Sequence, residues 1–321
     1  MSLRVLLSAP YMIYVLDRIK PIFESHSIEL VVPEVEERLS EGELLQIVGE
    51  IDGVVCGDDE FTARVLKAAA PKLKIISKWG TGIDSIDKDT ADKLGIKVRN
   101  TPGAFTDPVA DSVMGYVLSF ARMLPWMDQN MKRGGWNKIR GRALSECVIG
   151  VVGVGRIGKA VLRRAKSFGM LLLGNDIVPI SPDFLKEVGV RMLELSELLP
   201  QVDFLSLNCD LNPTSYHLLG RGELSLMRPE AVVINTSRGS VIDEEALVDA
   251  LEHGQIAGAG LDVFEHEPLE MDSPLRKMDN VLLAPHNANS SPSSWERVHR
   301  NTLCNLFDGL GLPTSQMFDD I

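Results

Sequence analysis

Cys147-Val148-Ile149-Gly150-Val151-Val152 runs directly into Gly153-Val154-Gly155-Arg156-Ile157-Gly158, and the reading of this stretch decides the fold. The first six residues, small and apolar, predict a buried strand that stops at a glycine turn. A helical period follows, with Ile157, Val161, Leu162, Ala165 and Phe168 on one face and Gly169 as its stop. A second apolar strand, Met170–Gly174, then leads to Asp176. Together these pieces predict one strand–helix–strand unit that cradles a pyrophosphate. Gly153 permits the tight turn, Gly155 lets backbone approach the phosphates, and Gly158 lets the helix pack on the strand. The phosphates would rest on the N–H groups where the helix opens, at Arg156 and Ile157. Asp176, 18 residues past Gly158, is placed to bind ribose hydroxyls. Its charge repels a 2′-phosphate, so the expected cofactor is NAD.

Outward from this unit, short apolar runs alternate with amphipathic stretches over the whole chain, the pattern of parallel α/β sheets. In the first half the candidate strands are 3–8, 29–32, 53–56, 73–77 and 97–99. Asn100-Thr101-Pro102-Gly103 then reads as a loop. One long helical stretch is predicted from Thr106 to Lys132, with Thr106 or Asp107 as N-cap, Pro108 in the first turn and Gly134-Gly135 as its end. Six further strands are predicted at 147–152, 171–175, 204–208, 232–235, 258–262 and 281–284, and a last helix over 291–307. The fold expected is α/β: two Rossmann-like, doubly wound parallel-sheet domains with a cleft between them. The cofactor domain, 100–287, would be inserted in a substrate domain built from 1–99 and 288–321.

Composition narrows the partners. The chain of 321 residues carries 33 Lys and Arg against 45 Asp and Glu, a formal charge of −12. Without a basic block, that sign argues against a nucleic-acid partner. No apolar run approaches the roughly 20 residues a membrane helix needs. The apolar start, Leu3–Leu7, is too short for a signal peptide and is followed by Pro10. Cys56, Cys147, Cys209 and Cys304 lie far apart with no metal-ligand spacing, and read as free thiols of a reducing, cytoplasmic compartment.

A nicotinamide cofactor moves hydride, so the chain should supply a proton carrier near neutral pH, a cation for a developing oxyanion, and a group to orient the carrier. Of six histidines, His26, His217, His253 and His299 lie in polar stretches typical of the surface. His286 follows the strand ending Leu283-Ala284, at the carboxyl edge where open α/β sheets bind ligands. Arg238, after Val232–Asn235, and Glu267, after Gly260–Phe264, occupy equivalent places on neighbouring units. Three ionisable groups at three strand ends suggest one shared site. Glu265-His266-Glu267 lacks a further ligand cluster, so no metal is expected.

Gly153–Gly158 with Asp176, Asn235-Thr236-Ser237-Arg238-Gly239, Gly260–Pro268 and Ala284-Pro285-His286 together resemble the D-isomer-specific 2-hydroxyacid dehydrogenases. Lys78–Asp87 and Asn100-Thr101-Pro102 match that family's substrate-domain and hinge signatures, so the resemblance covers nearly the whole chain. It implies that Arg238 holds the substrate carboxylate and polarises its C2 oxygen, that His286 is the acid/base, and that Glu267 orients it. Asp262 would lie near the nicotinamide carboxamide, Thr236 and Ser237 would line the nicotinamide side, and the amides of Thr81 and Gly82 would grip the carboxylate. The implied reaction is hydride transfer between NAD and C2 of a D-2-hydroxy acid or 2-oxo acid. A homodimer through the cofactor domain is implied by the arm over 106–136.

Two alternatives stay open at this point: 3-phosphoglycerate as the particular substrate, and a non-catalytic NAD(H) sensor of the same fold. Against phosphate stands the acidic stretch Cys56-Gly57-Asp58-Asp59-Glu60, where phosphoglycerate-specific members carry a Ser/Arg-type contact. The chain also ends soon after its last helix, short of the regulatory extension some of those enzymes have. Asn208-Cys209-Asp210 departs from the family's His-x-Pro. Lys78 is expected at the surface, and Trp79 either walls the pocket or packs beneath the glycine loop.

Overall fold

The computed structural model describes residues 2–314, in two compact units. Unit one comprises Met1–Phe105 with Ser291–Ile321, and unit two Thr106–Ser290. The sequence reading sets these crossings at 99/100 and 287/288.

Unit one holds a parallel sheet of β1 (Arg4–Leu7), β2 (Glu29–Val31), β3 (Gly53–Cys56), β4 (Ile75–Lys78) and β5 (Lys97–Arg99), in the order β2-β1-β3-β4-β5. Every residue of β3 and β4 is buried, including the polar Ser77 and Lys78 that end β4. The helix Pro292–Gly309 returns to this unit and covers β3 and β4. Ser77 Oγ donates to the Thr302 carbonyl at 2.7 Å, and Gly309 lies against Ile75.

Unit two holds β6 (Val148–Val152), β7 (Leu171–Asn175), β8 (Arg191–Met192), β9 (Phe204–Leu207), β10 (Val232–Asn235), β11 (Gly258–Leu261) and β12 (Val281–Leu283). All pair in parallel, in the order β12-β11-β10-β9-β6-β7-β8. Side chains alternate faces along each strand: Leu205 and Val233 enter one apolar cluster, Phe204, Val232 and Ile234 the other. The chain order reverses between β6 and β9, the switch point at which such sheets bind ligands.

Two expectations need correction. Unit two has a seventh strand, β8, whose two residues are too short to register as an apolar run. The stretch 106–132 is two helices, Thr106–Arg122 and Leu124–Lys132, broken at Met123, which takes a left-handed φ of 56°. Pro125 causes the break, because it has no N–H for the Ala121 carbonyl. That carbonyl accepts instead from the Arg142 N–H at 2.7 Å. Among the described residues, no helix is long and apolar enough to cross a membrane.

Candidate active site

The glycine stretch forms the turn its residues predict. Gly153 has φ 85°, and a Cβ there would stand 2.6 Å from the Cys209 backbone N, in the loop after β9. A side chain at Gly158 would collide with the Gly153 carbonyl, so the helix Arg156–Ser167 starts hard against its strand. Arg156 opens that helix in solvent, and Ile157 leans on the apolar cluster beneath it. Gly155 precedes the helix, no side chain caps its N-terminus, and a Cβ on Gly155 would meet no atom of the described chain within 4 Å.

Asp176 ends β7 beside this turn. Its carboxylate accepts from the Val154 N–H at 2.6 Å and the Val178 N–H at 2.8 Å. Across the switch point, Asn208 Oδ1 and Thr236 Oγ1 are buried without a hydrogen-bond partner. Buried polar atoms are normally paired, so two orphans flanking the turn mark a place for a polar ligand. The donor set fits a dinucleotide: backbone N–H groups for phosphates, a carboxylate for ribose, and orphan side chains on the nicotinamide side. The departure at Asn208-Cys209-Asp210 has a local account. Asn208 Nδ2 donates to the Ser206 carbonyl and hydroxyl, leaving Oδ1 as the unpaired atom.

The next three strand ends carry Arg238, Glu267 and His286, the residues expected to react. Asn235 folds the chain after β10 into a side-chain-bonded turn, its Oδ1 accepting from Ser237 N and Oγ and its Nδ2 donating to the Arg238 carbonyl. Gly239 then passes so close to the Phe264–Glu265 backbone that a Cβ would fall 1.8 Å from the Phe264 carbonyl carbon. Only glycine fits there, and the contact ties the Arg238 turn to the loop that carries Glu267. Arg238 itself donates to the Ser237 carbonyl at 3.0 Å.

Glu267 joins two partners: Oε1 accepts from the Phe264 N–H at 2.9 Å, and Oε2 meets His286 Nδ1 at 2.8 Å. His286 has a left-handed φ of 49°, strained for a side chain and kept only where surroundings over-determine it. Asp262 supplies that constraint. It is buried, and its two oxygens accept from Asn287 N at 2.8 Å and Ala288 N at 2.9 Å, while its carbonyl accepts from the His286 N–H at 2.7 Å. Burial pushes the Asp262 carboxyl above its ordinary range, opposed by those two N–H groups. Its carboxylate therefore clamps the loop after β12. Tyr116, whose hydroxyl lies 3.4 Å from the Leu261 carbonyl, is pushed up by burial and by Asp262.

In unit one, the loop bearing Thr81 and Gly82 is clamped from behind. Thr101 donates from N and Oγ1 to the Gly80 carbonyl, each at 2.9 Å, and Asn100 Nδ2 donates to the Thr81 carbonyl. The expectation for Lys78 is overturned, since it is only 3% exposed. β4 pairs with β3 so that Lys78 stands opposite Cys56, and its ammonium meets Asp58 at 3.1 Å and the Trp79 carbonyl at 3.2 Å. The acidic stretch is likewise engaged within the unit: Asp59 accepts from Ser8 Oγ, Leu39 N and Gly57 N, and Glu60 pairs with Arg38. Trp79 is packed, stacked on Tyr11 with centroids 4.6 Å apart, and its indole N–H donates to His299 Nδ1 at 3.0 Å. His299 is thus a core residue, 2% exposed, and burial pushes its imidazole below the ordinary range. A polar helix face hid it, because Trp79 covers it from 220 residues away in the chain.

Sequence reading also passed over His217 and Glu244. His217 meets Glu265, and Glu244 Oε2 accepts from the Glu265 N–H at 3.1 Å. The available signal was their place on the chain that follows β9 and β10, at the same sheet edge as the Glu267 loop.

A dinucleotide turn at the switch point, with a histidine–carboxylate pair and an arginine on adjacent strand ends, defines an NAD-linked α/β oxidoreductase. The model of the D-isomer specific 2-hydroxyacid dehydrogenase NAD binding domain matches residues 114–288, and the chain belongs to that family. It is 42% identical to a glyoxylate reductase of Korarchaeum cryptofilum over 254 residues, 77% of this chain and 76% of that protein. A D-3-phosphoglycerate dehydrogenase of Methanocaldococcus jannaschii is 40% identical over 80% of this chain and 49% of that protein. Among solved structures, D-lactate dehydrogenase from Aquifex aeolicus, complexed with NAD and lactic acid, superposes with a TM-score of 0.82 at 27% identity. That match covers 94% of this chain and 93% of the other.

Proposed function

We propose that this chain interconverts a small D-2-hydroxy acid and its 2-oxo acid, with His286 as acid/base, Glu267 as its orienting partner and Arg238 as the anchor of the substrate carboxylate. The contact of 2.8 Å between Glu267 Oε2 and His286 Nδ1 carries this reading. With Nδ1 committed to a carboxylate, proton exchange with the substrate oxygen falls to Nε2. In oxidation His286 takes the hydroxyl proton, and Glu267 stabilises the imidazolium so formed. Arg238, always charged and able to bind two oxygens at once, holds the carboxylate and polarises the C2 oxygen. In unit one, Thr81 and Gly82 are the residues that the family resemblance assigns to carboxylate binding, and their loop is held by Thr101 and Asn100. NAD, when bound, accepts or returns the hydride. Gly153, Gly155, Arg156, Ile157, Gly158 and Asp176 would hold its phosphates and ribose, and Thr236, Ser237 and Asp262 its nicotinamide end.

An unphosphorylated acid of the size of glyoxylate or hydroxypyruvate is favoured. Lys78, the buried cation beside the loop after β3, is committed to Asp58, and the other carboxylates of that loop would repel a phosphate. A two-fold dimer through unit two is the accompanying proposal, supported by exposed Leu124, Met131 and Trp136. The test is NADH oxidation with glyoxylate, hydroxypyruvate, pyruvate and phosphohydroxypyruvate. Turnover highest on one of the first three is expected. NADH binding with no turnover on any of the four would overturn the assignment, and preference for the phosphorylated acid would overturn its substrate clause.

A further inference from the structure

We infer that His217 and Glu265 form a second histidine–carboxylate pair whose task is positional: it holds loop 263–268 so that Glu267 stays aimed at His286. The inference rests on reading His286 as the acid/base.

Glu265 and Glu267 stand two residues apart on one loop, and each meets a histidine from a different strand end. His217 comes from the loop after β9. Its N–H donates to the Ser240 carbonyl at 2.8 Å, and Leu219 bridges to Ile242, so this loop is pinned to the turn that follows Arg238. On the other side the Glu265 N–H donates to Glu244 Oε2, at the first residue of the helix Glu244–Glu252. The Glu267 loop is therefore held from two neighbouring strand ends by groups that do not themselves face the histidine of the reaction.

Backbone conformation and charge point the same way. The described residues hold four side-chain-bearing positions of positive φ, and two of them are His217 at 48° and His286 at 49°. Each is kept in a conformation that side chains avoid, with its ring set against a carboxylate. His217 also stacks face to face on Tyr216, with centroids 4.0 Å apart and ring planes 13° from parallel. The titratable groups of and about this loop include Glu244, Glu265, His266 and Glu267, with His217, Asp262 and His286 facing it from neighbouring strand ends. Burial pushes Glu244 up, opposed by the hydrogen bond from the Glu265 N–H; the charges of Glu265 and Glu267 raise it further, and His266 lowers it. In so acidic a cluster, Glu265 without its histidine would turn toward solvent and take the backbone of Glu267 with it. A surface ion pair with no further role would leave both side chains in water, whereas these are 32% and 23% exposed.

The test uses the full chain and two readouts: the titration of the His286 ring by 15N NMR, and kcat with glyoxylate and NADH. His217→Phe keeps the stacking on Tyr216 and removes the polar contact; His217→Gln keeps a donor where Nε2 stands. In His217→Phe the titration midpoint of His286 should fall, because a carboxylate no longer faces the imidazolium. Turnover should fall by up to roughly 10²-fold, the cost of about 1 Å of misplacement. His217→Gln should recover both, with the NADH Kd the same in all three proteins. His217→Ala, which gives up the stacking as well, should reproduce the fall. An unchanged midpoint in His217→Phe overturns the inference. A raised midpoint overturns it too, since charge rather than loop position would then connect the pairs. Wild-type turnover in His286→Ala would sink the acid/base reading alone, because the NMR titration needs no catalysis.

Discussion

The carboxyl edges of the two parallel sheets make an instructive contrast. In unit two, the loops after β10, β11 and β12 carry Arg238, Glu267 and His286, each placed by hydrogen bonds to backbone, and the first two loops meet at Gly239 in a contact that admits no side chain. In unit one, the segments after β1, β3 and β4 carry Tyr11, Asp58 and Trp79, absorbed into aromatic stacking and an ion pair with the buried Lys78. One edge spends local strain on aiming titratable groups, and the other fills its space and offers only the backbone of Gly80, Thr81 and Gly82. The same strand geometry thus carries hydrogen-bonded titratable side chains at one edge and stacked aromatic rings at the other.

Substitutions at the two edges should separate cleanly. At the reactive edge, His286→Ala should lower kcat by roughly 10²–10⁴, the usual worth of a general acid/base. Its unfolding free energy in a urea titration should change by less than about 1 kcal/mol. A variant that unfolds rather than loses turnover would erase the contrast. At the packed edge, Trp79→Ala should lose about 3–5 kcal/mol of unfolding free energy, because its ring contacts leave a cavity. Calorimetry and urea titration measure this. A loss below about 1 kcal/mol would mean that the cluster is not a core.

The smallest effect concerns His299. Its imidazole is pushed down by burial, partly offset by Glu296, so the unfolded chain binds the proton more readily. Stability from this group is full above the ordinary histidine value, roughly 6.5, and is lost as pH falls below it. His299→Asn, which can keep an acceptor for the Trp79 N–H, should flatten the decline of stability between about pH 6.5 and 5. An identical slope in both proteins would remove His299 as its source.

Much of this was legible in the residue order. The strands lie within one or two residues of their apolar runs, because burial on both faces of a parallel sheet demands uninterrupted Val, Ile and Leu. The glycine turn and Asp176 were legible because their spacing is set by the ligand rather than by the rest of the fold. The break at Met123 has a local signal in Pro125, which lacks the N–H that a continuous helix needs there. The short β8 and the pairing of His217 with Glu265, 48 residues apart, left no local trace.

What the order of residues determined alone is the alternation of strand and helix, the turn for a dinucleotide, and the ionisable groups that end three successive strands. These depend on period and spacing, which neighbours along the chain encode. Tertiary structure alone decided which polar residues are solvated and which are interior. Lys78 and His299 look like surface residues until Asp58 meets the one and Trp79 covers the other, since burial is a property of what lies across the fold.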